Sequence, residues 1–168
     1  ARHFEAVRAS LGAQKSRVLV AGRPVRPSGT RYPLAGSDAE LGLEVRAHGA
    51  AFAGAGVDLG TRLLLGLGDS YPRSARRVVD LGCGTGLLSV GAARALPGAD
   101  VLAVDESRAA VLSATATAQA NGVADRVQVR RTHLLRGVED RSVDLVLCNP
   151  PFHRGNTRDS APAFDMLG

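Results

Sequence analysis

The stretch that decides the fold is Val78-Val-Asp-Leu-Gly-Cys-Gly-Thr-Gly86, in which an apolar run leads into three glycines at alternate positions. The apolar run predicts a buried strand over Arg77–Leu81, and the residues after the glycines predict a helix over Thr85–Leu96. A strand, a tight turn and a helix in this order begin an open α/β sheet, which binds ligands at the carboxyl ends of its strands. Glycines there leave the backbone open to a ligand.

Strands and helices continue to alternate after this turn. A helix is predicted from Ser107 to about Ala120, and further strands over Val101–Val104, Val127–Arg130 and Val143–Cys148. Short apolar strands between helices indicate a parallel sheet, and hence a Rossmann-like, doubly wound α/β fold. Only residues 152–168 follow the fourth strand, whereas such sheets usually have five or more, so we expect a domain truncated after that strand.

The residues before the glycine turn divide into shorter predicted elements. Residues 3–11 predict a short helix and Arg17–Ala21 a short strand, and the proline- and glycine-rich residues 22–33 predict a linker. Alternation from Leu41 predicts a half-buried strand. Asp58 is a predicted N-cap for a helix whose leucines recur at helical spacing, namely Leu59, Leu63, Leu64 and Leu67.

Composition excludes several classes of protein. Hydrophobic residues make up 45% and charged residues 22%, as in soluble globular chains, and no stretch approaches a membrane span. Cys83 and Cys148 are too few for a disulfide framework and lack metal-ligand spacing, so we predict a cytoplasmic protein without a metal. The net charge of +5 is compatible with a nucleic-acid partner, but Lys15 is the only lysine, and an arginine excess also reflects a GC-rich genome.

Two carboxylates indicate the ligand of the glycine turn. Asp105 closes the next predicted strand, where an acidic residue can accept both hydroxyls of a ribose. Asp80, just before the glycines, disfavours a pyrophosphate and suits a cation. S-adenosylmethionine carries a sulfonium, an ammonium group and a ribose but no phosphate, so we predict it as the cofactor. The alternative is a structural turn with an ordinary surface Asp105.

The segment Leu147-Cys-Asn-Pro-Pro-Phe-His153 indicates the reaction. Two prolines fix the backbone, so the Asn149 amide oxygen and the Pro150 carbonyl can act as paired acceptors beside the flat face of Phe152. An amine on an aromatic ring is a poor nucleophile, and acceptors placed out of the ring plane favour its tetrahedral form in the transition state. The alternative is a Pro-Pro turn that ends a strand, with Asn149 as its cap.

These motifs together resemble class I S-adenosylmethionine-dependent methyltransferases of the "methyltransferase small" family. More narrowly, they are similar to bacterial ribosomal RNA guanine-N2 methyltransferases. Val104-Asp-Glu-Ser107 and Cys148-Asn-Pro-Pro-Phe-His153 are closer to the large-subunit type than to the small-subunit type. The resemblance includes Gly56–Leu65, the helix that precedes the cofactor turn in that family. It implies residues 1–22 as the end of a degenerate N-terminal domain, 23–40 as a linker, and 41–168 as the cofactor-binding half of the methyltransferase domain.

The resemblance also implies individual roles around the cofactor. Asp80 would lie near its ammonium group, Asp105 would hold the ribose and Glu106 would flank the adenine. Where the family often has asparagine this chain has His133, which could accept a hydrogen bond from the adenine amine, or backbone groups could replace it. The methionine part would be wrapped by the turn residues Gly82, Cys83, Gly84 and Gly86.

On the substrate side, the resemblance implies that Asn149 and Pro150 bind the guanine amine with Phe152 stacked on the base. His153, Arg154 and Arg158 are predicted to contact RNA, the alternative being solvated side chains. For His153 a role as general base is a further alternative. The sequence thus predicts methyl transfer to guanine N2 of ribosomal RNA, with the large subunit favoured. The alternatives are methylation of glutamine N5 in a release factor, methylation of adenine N6, and a non-catalytic module that binds RNA or cofactor.

Overall fold

The computed structural model describes residues 3–12, 16–25, 32–51 and 53–150, together with the backbone of residues 153–154 and 157–158. The chain divides into two compact units, Ala1–Arg31 and Tyr32–Gly168. Among the described residues, no helix has the length and apolar character needed to cross a membrane.

The first unit is an antiparallel pair of strands, β1 (Phe4–Ala9) and β2 (Leu19–Pro24). Phe4 lies opposite Pro24 and Ala9 opposite Leu19. The helix expected over residues 3–11 is therefore wrong, because cross-strand pairing with the later segment overrides local helix propensity. The strand predicted over Arg17–Ala21 overlaps β2.

The second unit begins with another antiparallel pair, β3 (Leu34–Asp38) and β4 (Leu43–Ala47). Leu43, Val45 and Ala47 are buried, which confirms the alternation read from the sequence. β3 lies within residues 23–40, where the sequence indicated a linker. Its turn is closed by Asp38, whose carboxylate accepts the Leu41 N–H at 3.0 Å.

A parallel four-stranded sheet follows and confirms the predicted Rossmann-like class. Its strands are ordered β7-β6-β5-β8; one helix connects β5 to β6 and another connects β6 to β7. The elements are α1 (Leu59–Gly66), a short 3₁₀ turn (Gly68–Ser70), β5 (Arg77–Leu81), α2 (Leu87–Ala95), β6 (Asp100–Asp105), α3 (Arg108–Ala120), β7 (Val127–Arg131) and β8 (Leu145–Cys148). The two-residue strands β9 (His153–Arg154) and β10 (Thr157–Arg158) pair antiparallel.

The main core lies between this sheet and the helices α2 and α3. It includes Val90, Ala92 and Ala103, each fully buried. A smaller cluster of Val79, Leu81 and Val104 occupies the opposite face of the sheet. Both clusters support the strands whose carboxyl ends carry the predicted motifs.

Side chains of α3 and of its C-cap residue Asn121 serve as the hydrogen-bond partners of β4 on the side away from β3. Alternate β4 residues and the residue after the strand donate their backbone N–H groups to polar side chains one helical turn apart. The pairs are Glu44 with Asn121 (3.1 Å), Arg46 with Thr117 (3.0 Å) and His48 with Ser113 (2.8 Å). The helix thereby takes the position that a neighbouring strand would occupy.

Helix α1 presents a different face to the core from the one its leucine spacing suggested. Leu64 and Leu65 pack against the core, and Leu65 fits over Gly91 of α2, where an added Cβ would lie 2.2 Å from the Leu65 Cδ2 atom. Leu59 and Leu63 are 84% and 68% exposed. The first turn of the helix faces the end of β8, because Asp58 and Thr61 are hydrogen-bonded to Asn149, the residue that follows the strand.

Candidate functional site

The glycine turn joins β5 to α2 and has the open backbone that the sequence predicted. Gly82, Gly84 and Gly86 have φ values of 72°, 54° and 80°, a region that disfavours residues with a Cβ. The N–H groups of Gly82 and Cys83 both donate to the Val104 carbonyl at 2.9 Å, which ties the turn to β6. An added Cβ on Gly86 would lie 2.8 Å from Ala114 of α3, so this glycine also allows the helix to approach.

Asp105 anchors the turn from the end of β6. Its Oδ2 accepts the Gly84 N–H at 3.0 Å and its Oδ1 accepts the Ser107 N–H at 2.8 Å. Each carboxylate oxygen can accept a second hydrogen bond, so the side chain retains capacity for a hydroxyl pair. Asp105 therefore can shape the turn and hold a ligand at once.

Asp80 lies beneath the turn and is only 1% exposed. Its Oδ2 accepts a hydrogen bond from Ser89 at 2.5 Å, while Oδ1 is buried without a hydrogen-bond partner among the described residues. Burial raises the pKa of Asp80 to about 6, against the opposing effect of Ser89 and with a further contribution from the charge of Asp105. A nearby cation would offset the cost of this buried charge.

A cavity of about 360 Å³ lies over the turn and reaches the end of β8. Its walls include the three carboxylates Asp58, Asp105 and Glu106, and among the described lining residues there is neither lysine nor arginine. The turn residues and Leu81, Leu87 and Val104 supply the apolar part of the wall. This lining suits an organic cation and is unfavourable for a phosphate group.

The His133 side chain, which the sequence predicted to contact the adenine, is paired with Glu106 in the structure. The His133 ring bonds the Glu106 carboxylate through Nδ1, and both side chains are exposed. His133 itself is not among the residues that line the cavity, but its neighbours Thr132 and Leu134 are, as is Glu106. The pairing can orient Glu106 along the cavity wall.

Asn149 brings the end of β8 into the same cavity. Its Nδ2 donates to Asp58 Oδ1 at 3.0 Å and to Thr61 Oγ1 at 3.1 Å. Asp58 also caps α1, where its Oδ1 accepts the N–H groups of Gly60 and Thr61 at 3.0 and 3.1 Å. The sequence identified Asp58 only as a cap and did not single out Thr61.

Several predicted site residues lie at or beyond the limit of the described structure. Phe152 is outside the described residues. His153, Arg154 and Arg158 are described by their backbone alone, which pairs His153 with Arg158 and Arg154 with Thr157. The three residues predicted to contact RNA therefore share one short antiparallel pair that follows Asn149 in the chain.

The two cysteines are not activated as nucleophiles, although Cys83 lines the cavity. Cys83 and Cys148 are free thiols. Burial raises the pKa of both, and the negative charge of Asp80 raises it further, so neither is an activated nucleophile. The described residues contain no grouping of His, Cys, Asp and Glu side chains that could hold a metal ion.

Known proteins are similar to this chain in sequence, and a solved structure is similar to it in fold. The chain is 41% identical over 167 residues to the ribosomal RNA large subunit methyltransferase G of Streptomyces coelicolor, covering 95% of this chain and 44% of that protein. The protein of the same name from Shewanella oneidensis is 35% identical over 173 residues, covering 99% and 44%. The chain thus spans less than half the length of these curated relatives.

A solved structure has the same fold. It is the T. thermophilus 16S rRNA N2 methyltransferase RsmC in complex with AdoMet and guanosine, with a TM-score of 0.71 and 24% identity over 98% of this chain and 46% of that one. The family model of the methyltransferase small domain matches residues 42–167. With the glycine turn, the acidic cavity and Asn149 all inside that range, the chain belongs to the methyltransferase small domain family.

Proposed function

We propose that this chain transfers a methyl group from S-adenosylmethionine to the exocyclic N2 amine of a guanine in ribosomal RNA of the large subunit. The observation that carries the proposal is the position of the Asn149 amide in the wall of the cavity formed by the glycine turn. The names of the relatives support ribosomal RNA of the large subunit as the substrate.

The charges of the cavity support the proposed cofactor. The lining combines Asp58, Asp105 and Glu106, and its described residues include no basic side chain. Asp80 lies buried below, and one of its oxygens has no hydrogen-bond partner within the described part of the chain. When bound, S-adenosylmethionine supplies an electrophilic methyl group on a sulfonium sulfur. In the proposal Asp105 accepts the ribose hydroxyls, Asp80 acts on the ammonium group through its charge, and Glu106 flanks the adenine.

The turn residues have a role of their own in the proposal. Gly82, Cys83, Gly84 and Gly86 wrap the methionine part, since their backbone is open at this point. His133 remains a proposed contact of the adenine. Its ring is also hydrogen-bonded to the Glu106 carboxylate.

The chain's part in the chemistry is to hold and polarise the amine. Asn149 Oδ1 and the Pro150 carbonyl accept the two amine hydrogens, which favours the tetrahedral nitrogen over the planar one. Phe152 stacks on the base. The amine releases its proton only as the new bond forms, so water suffices as the acceptor and His153 need not act as a base. His153, Arg154 and Arg158 contact the RNA.

The proposal extends to the arrangement of the chain. Residues 1–22 are the end of a degenerate N-terminal domain that helps to hold RNA, residues 23–40 link it to the catalytic part, and residues 41–168 form the cofactor-binding half. The pairing of β3 with β4 supports a catalytic unit that includes the last residues of that link.

Methyl transfer from labelled S-adenosylmethionine into ribosomal RNA from a strain lacking the gene tests the proposal. We expect label in N2-methylguanine of the large-subunit RNA after digestion. Label in N6-methyladenine, or in a glutamine of a release factor, would replace it with one of the alternatives. Calorimetry that finds cofactor binding without transfer to any RNA would indicate a non-catalytic module.

Asn149→Ala provides the site-directed test. We expect turnover to fall by at least about 100-fold, as for the loss of one preorganised hydrogen-bond partner of a transition state. The dissociation constant for S-adenosylmethionine should change by less than about threefold, a free-energy change below about 1 kcal/mol. Near-normal methylation by the alanine variant would exclude this mechanism.

A further inference from the structure

Three residues from distant parts of the sequence form one hydrogen-bonded cluster at the edge of the cavity. Asn149 lies 91 positions after Asp58 and 88 positions after Thr61 and donates to both. Thr61 in turn donates its hydroxyl to Asp58 Oδ2 at 2.5 Å. The three side chains are thus bonded pairwise in a ring, and Asn149 takes part through its NH₂ group.

The direction of each hydrogen bond in the cluster follows from Asp58. Burial alone would raise the pKa of Asp58, but hydrogen bonds from the Thr61 hydroxyl and N–H, from Asn149 and from the Gly60 N–H outweigh it and leave the pKa below its usual value. The side chain is therefore an ionised carboxylate at neutral pH, and an ionised carboxylate can only accept.

An acceptor at this position determines which end of the Asn149 amide points where. The NH₂ group must face Asp58, and both of its hydrogens are used, one by Asp58 and one by the Thr61 oxygen. The Thr61 oxygen is free to accept because its own hydrogen goes to Asp58. The amide oxygen is then the end left for a ligand, and no hydrogen bond to it occurs among the described residues.

Gly60 completes the arrangement. An added Cβ at this position would lie 2.5 Å from Asn149 Oδ1 and 3.1 Å from its Cγ. The asparagine side chain thus lies directly against the backbone of the first turn of α1. Any larger residue would displace the amide.

We infer that Asp58 and Thr61 are positioning residues, which fix the Asn149 amide so that it presents its oxygen, and never its NH₂ group, to the amine being methylated. This inference rests on the proposed function for the role of Asn149. A flipped amide would place a donor opposite the donor N–H groups of the substrate, so the cluster selects the productive orientation of the amide.

Asp58→Asn is the sharpest variant, since asparagine is as good an N-cap as aspartate but can offer an NH₂ group as well as an oxygen. We expect kcat for labelled methyl transfer into ribosomal RNA to fall about 10- to 100-fold, in the range of a catalytic group displaced by about 1 Å. The dissociation constant for S-adenosylmethionine should rise by less than about threefold, because Asp80 and Asp105 remain. The Tm should fall only slightly, because the N-cap is kept while the hydrogen bonds that favour the ionised carboxylate are weakened.

Thr61 offers a matched pair of variants. Thr61→Val keeps the shape and loses the hydroxyl, so kcat should fall about 10-fold, whereas Thr61→Ser keeps the hydroxyl and should restore most of the rate. Asp144→Asn is the control carboxylate. Asp144 accepts the N–H groups of Arg76 and Arg77 at 2.8 and 2.9 Å near the amino end of β5, and its variant should have the normal rate.

A readout independent of turnover is the side-chain amide signal of Asn149 in ¹⁵N NMR spectra, assigned by its absence in Asn149→Ala. In Asp58→Asn and Thr61→Val it should shift and exchange faster with solvent, and in Asp144→Asn it should not. An unchanged signal in Asp58→Asn, or a kcat within about twofold of normal in both variants, would overturn the inference. Failure of the proposed function is distinct, since it would appear as a missing N2-methylguanine product in the unaltered protein.

Discussion

The carboxyl ends of β5 and β8 are neighbours in the sheet, yet their geometry is fixed by different means. After β5, the glycine turn is shaped by backbone conformation and by Asp105, which is 21 positions from its partner Gly84. After β8, Asn149 is oriented by side chains 91 and 88 positions earlier in the chain. A turn defined by backbone tolerates few substitutions but is locally encoded, whereas an amide orientation depends on the packing of a separate helix.

Gly86→Ala should break the β5 side most severely. We expect the free energy of unfolding to fall by about 4 kcal/mol. Alanine at positive φ contributes roughly 1–3 kcal/mol, and overpacking against Ala114 contributes roughly 1–3 kcal/mol. Urea unfolding measures it. Gly84→Ala is the control, because its φ is also positive but its added Cβ has open space, so it should cost only the backbone part.

Asp80→Asn should stabilise the unliganded protein in a pH-dependent way. The pKa of Asp80 is raised to about 6 in the folded protein, so the folded state is favoured while Asp80 is protonated. This contribution to the free energy of unfolding is complete below the unfolded pKa of Asp80 and is lost as the pH rises through about 6. The variant should therefore gain up to about 3 kcal/mol over the unaltered protein above pH ~6 and nothing below pH ~4. Unfolding curves between these limits test it.

Asp144→Asn should have the opposite trend with pH. Backbone hydrogen bonds from Arg76 and Arg77 lower the pKa of Asp144, so its stabilisation is present above the unfolded pKa and is lost in acid. The variant should be the less stable protein at neutral pH, with the difference vanishing in acid. Parallel profiles for the Asp80 and Asp144 variants would contradict this account of Asp80.

Asp105→Ala should weaken the binding of the cofactor. It removes the anchor of Gly84 and the proposed ribose acceptor, so the dissociation constant for S-adenosylmethionine should rise about 10- to 100-fold, as for a lost charged hydrogen bond. Calorimetry measures it, with Asp100→Ala at the other end of β6 as the control. An equal rise of the dissociation constant in Asp100→Ala would show that Asp105 has no specific role in binding the cofactor.

Gly60→Ala should act on the β8 side alone. The added Cβ would displace the Asn149 amide, and we expect about a 10-fold lower kcat with little change in stability or cofactor affinity. Gly66→Ala, at the end of the same helix with open space around it, should stabilise by up to about 1 kcal/mol and leave kcat unchanged. Equal rates in the two variants would show that Asn149 tolerates displacement.

The same contrast explains what the sequence could predict. The strands β5 to β8, the helices between them and the glycine turn were predictable, because apolar runs, glycines and caps are local signals. The helix expected over residues 3–11 was wrong because the pairing of β1 with β2 is decided by contacts between separate segments of the chain. The sequence did not predict the strand β3 either, because its pairing with β4 is also a contact between separate segments of the chain.

The cluster around Asn149 could not be predicted for the same physical reason. Asp58 gave a capping signal, and the capping role is present, but nothing local indicates that its carboxylate also receives an amide from β8. Thr61 and Gly60 have no pattern of their own in the sequence. Only the folded chain brings the first turn of α1 to the end of β8.

The polar stripe of α3 along β4 has a consequence for the behaviour of the protein in solution. A strand at the margin of a sheet exposes unpaired N–H groups that can recruit a strand of another molecule and start aggregation. Ser113, Thr117 and Asn121 already occupy those groups on β4. These three N–H groups are therefore not available to a strand of another molecule, and we expect loss of the α3 side chains to appear first as reduced solubility.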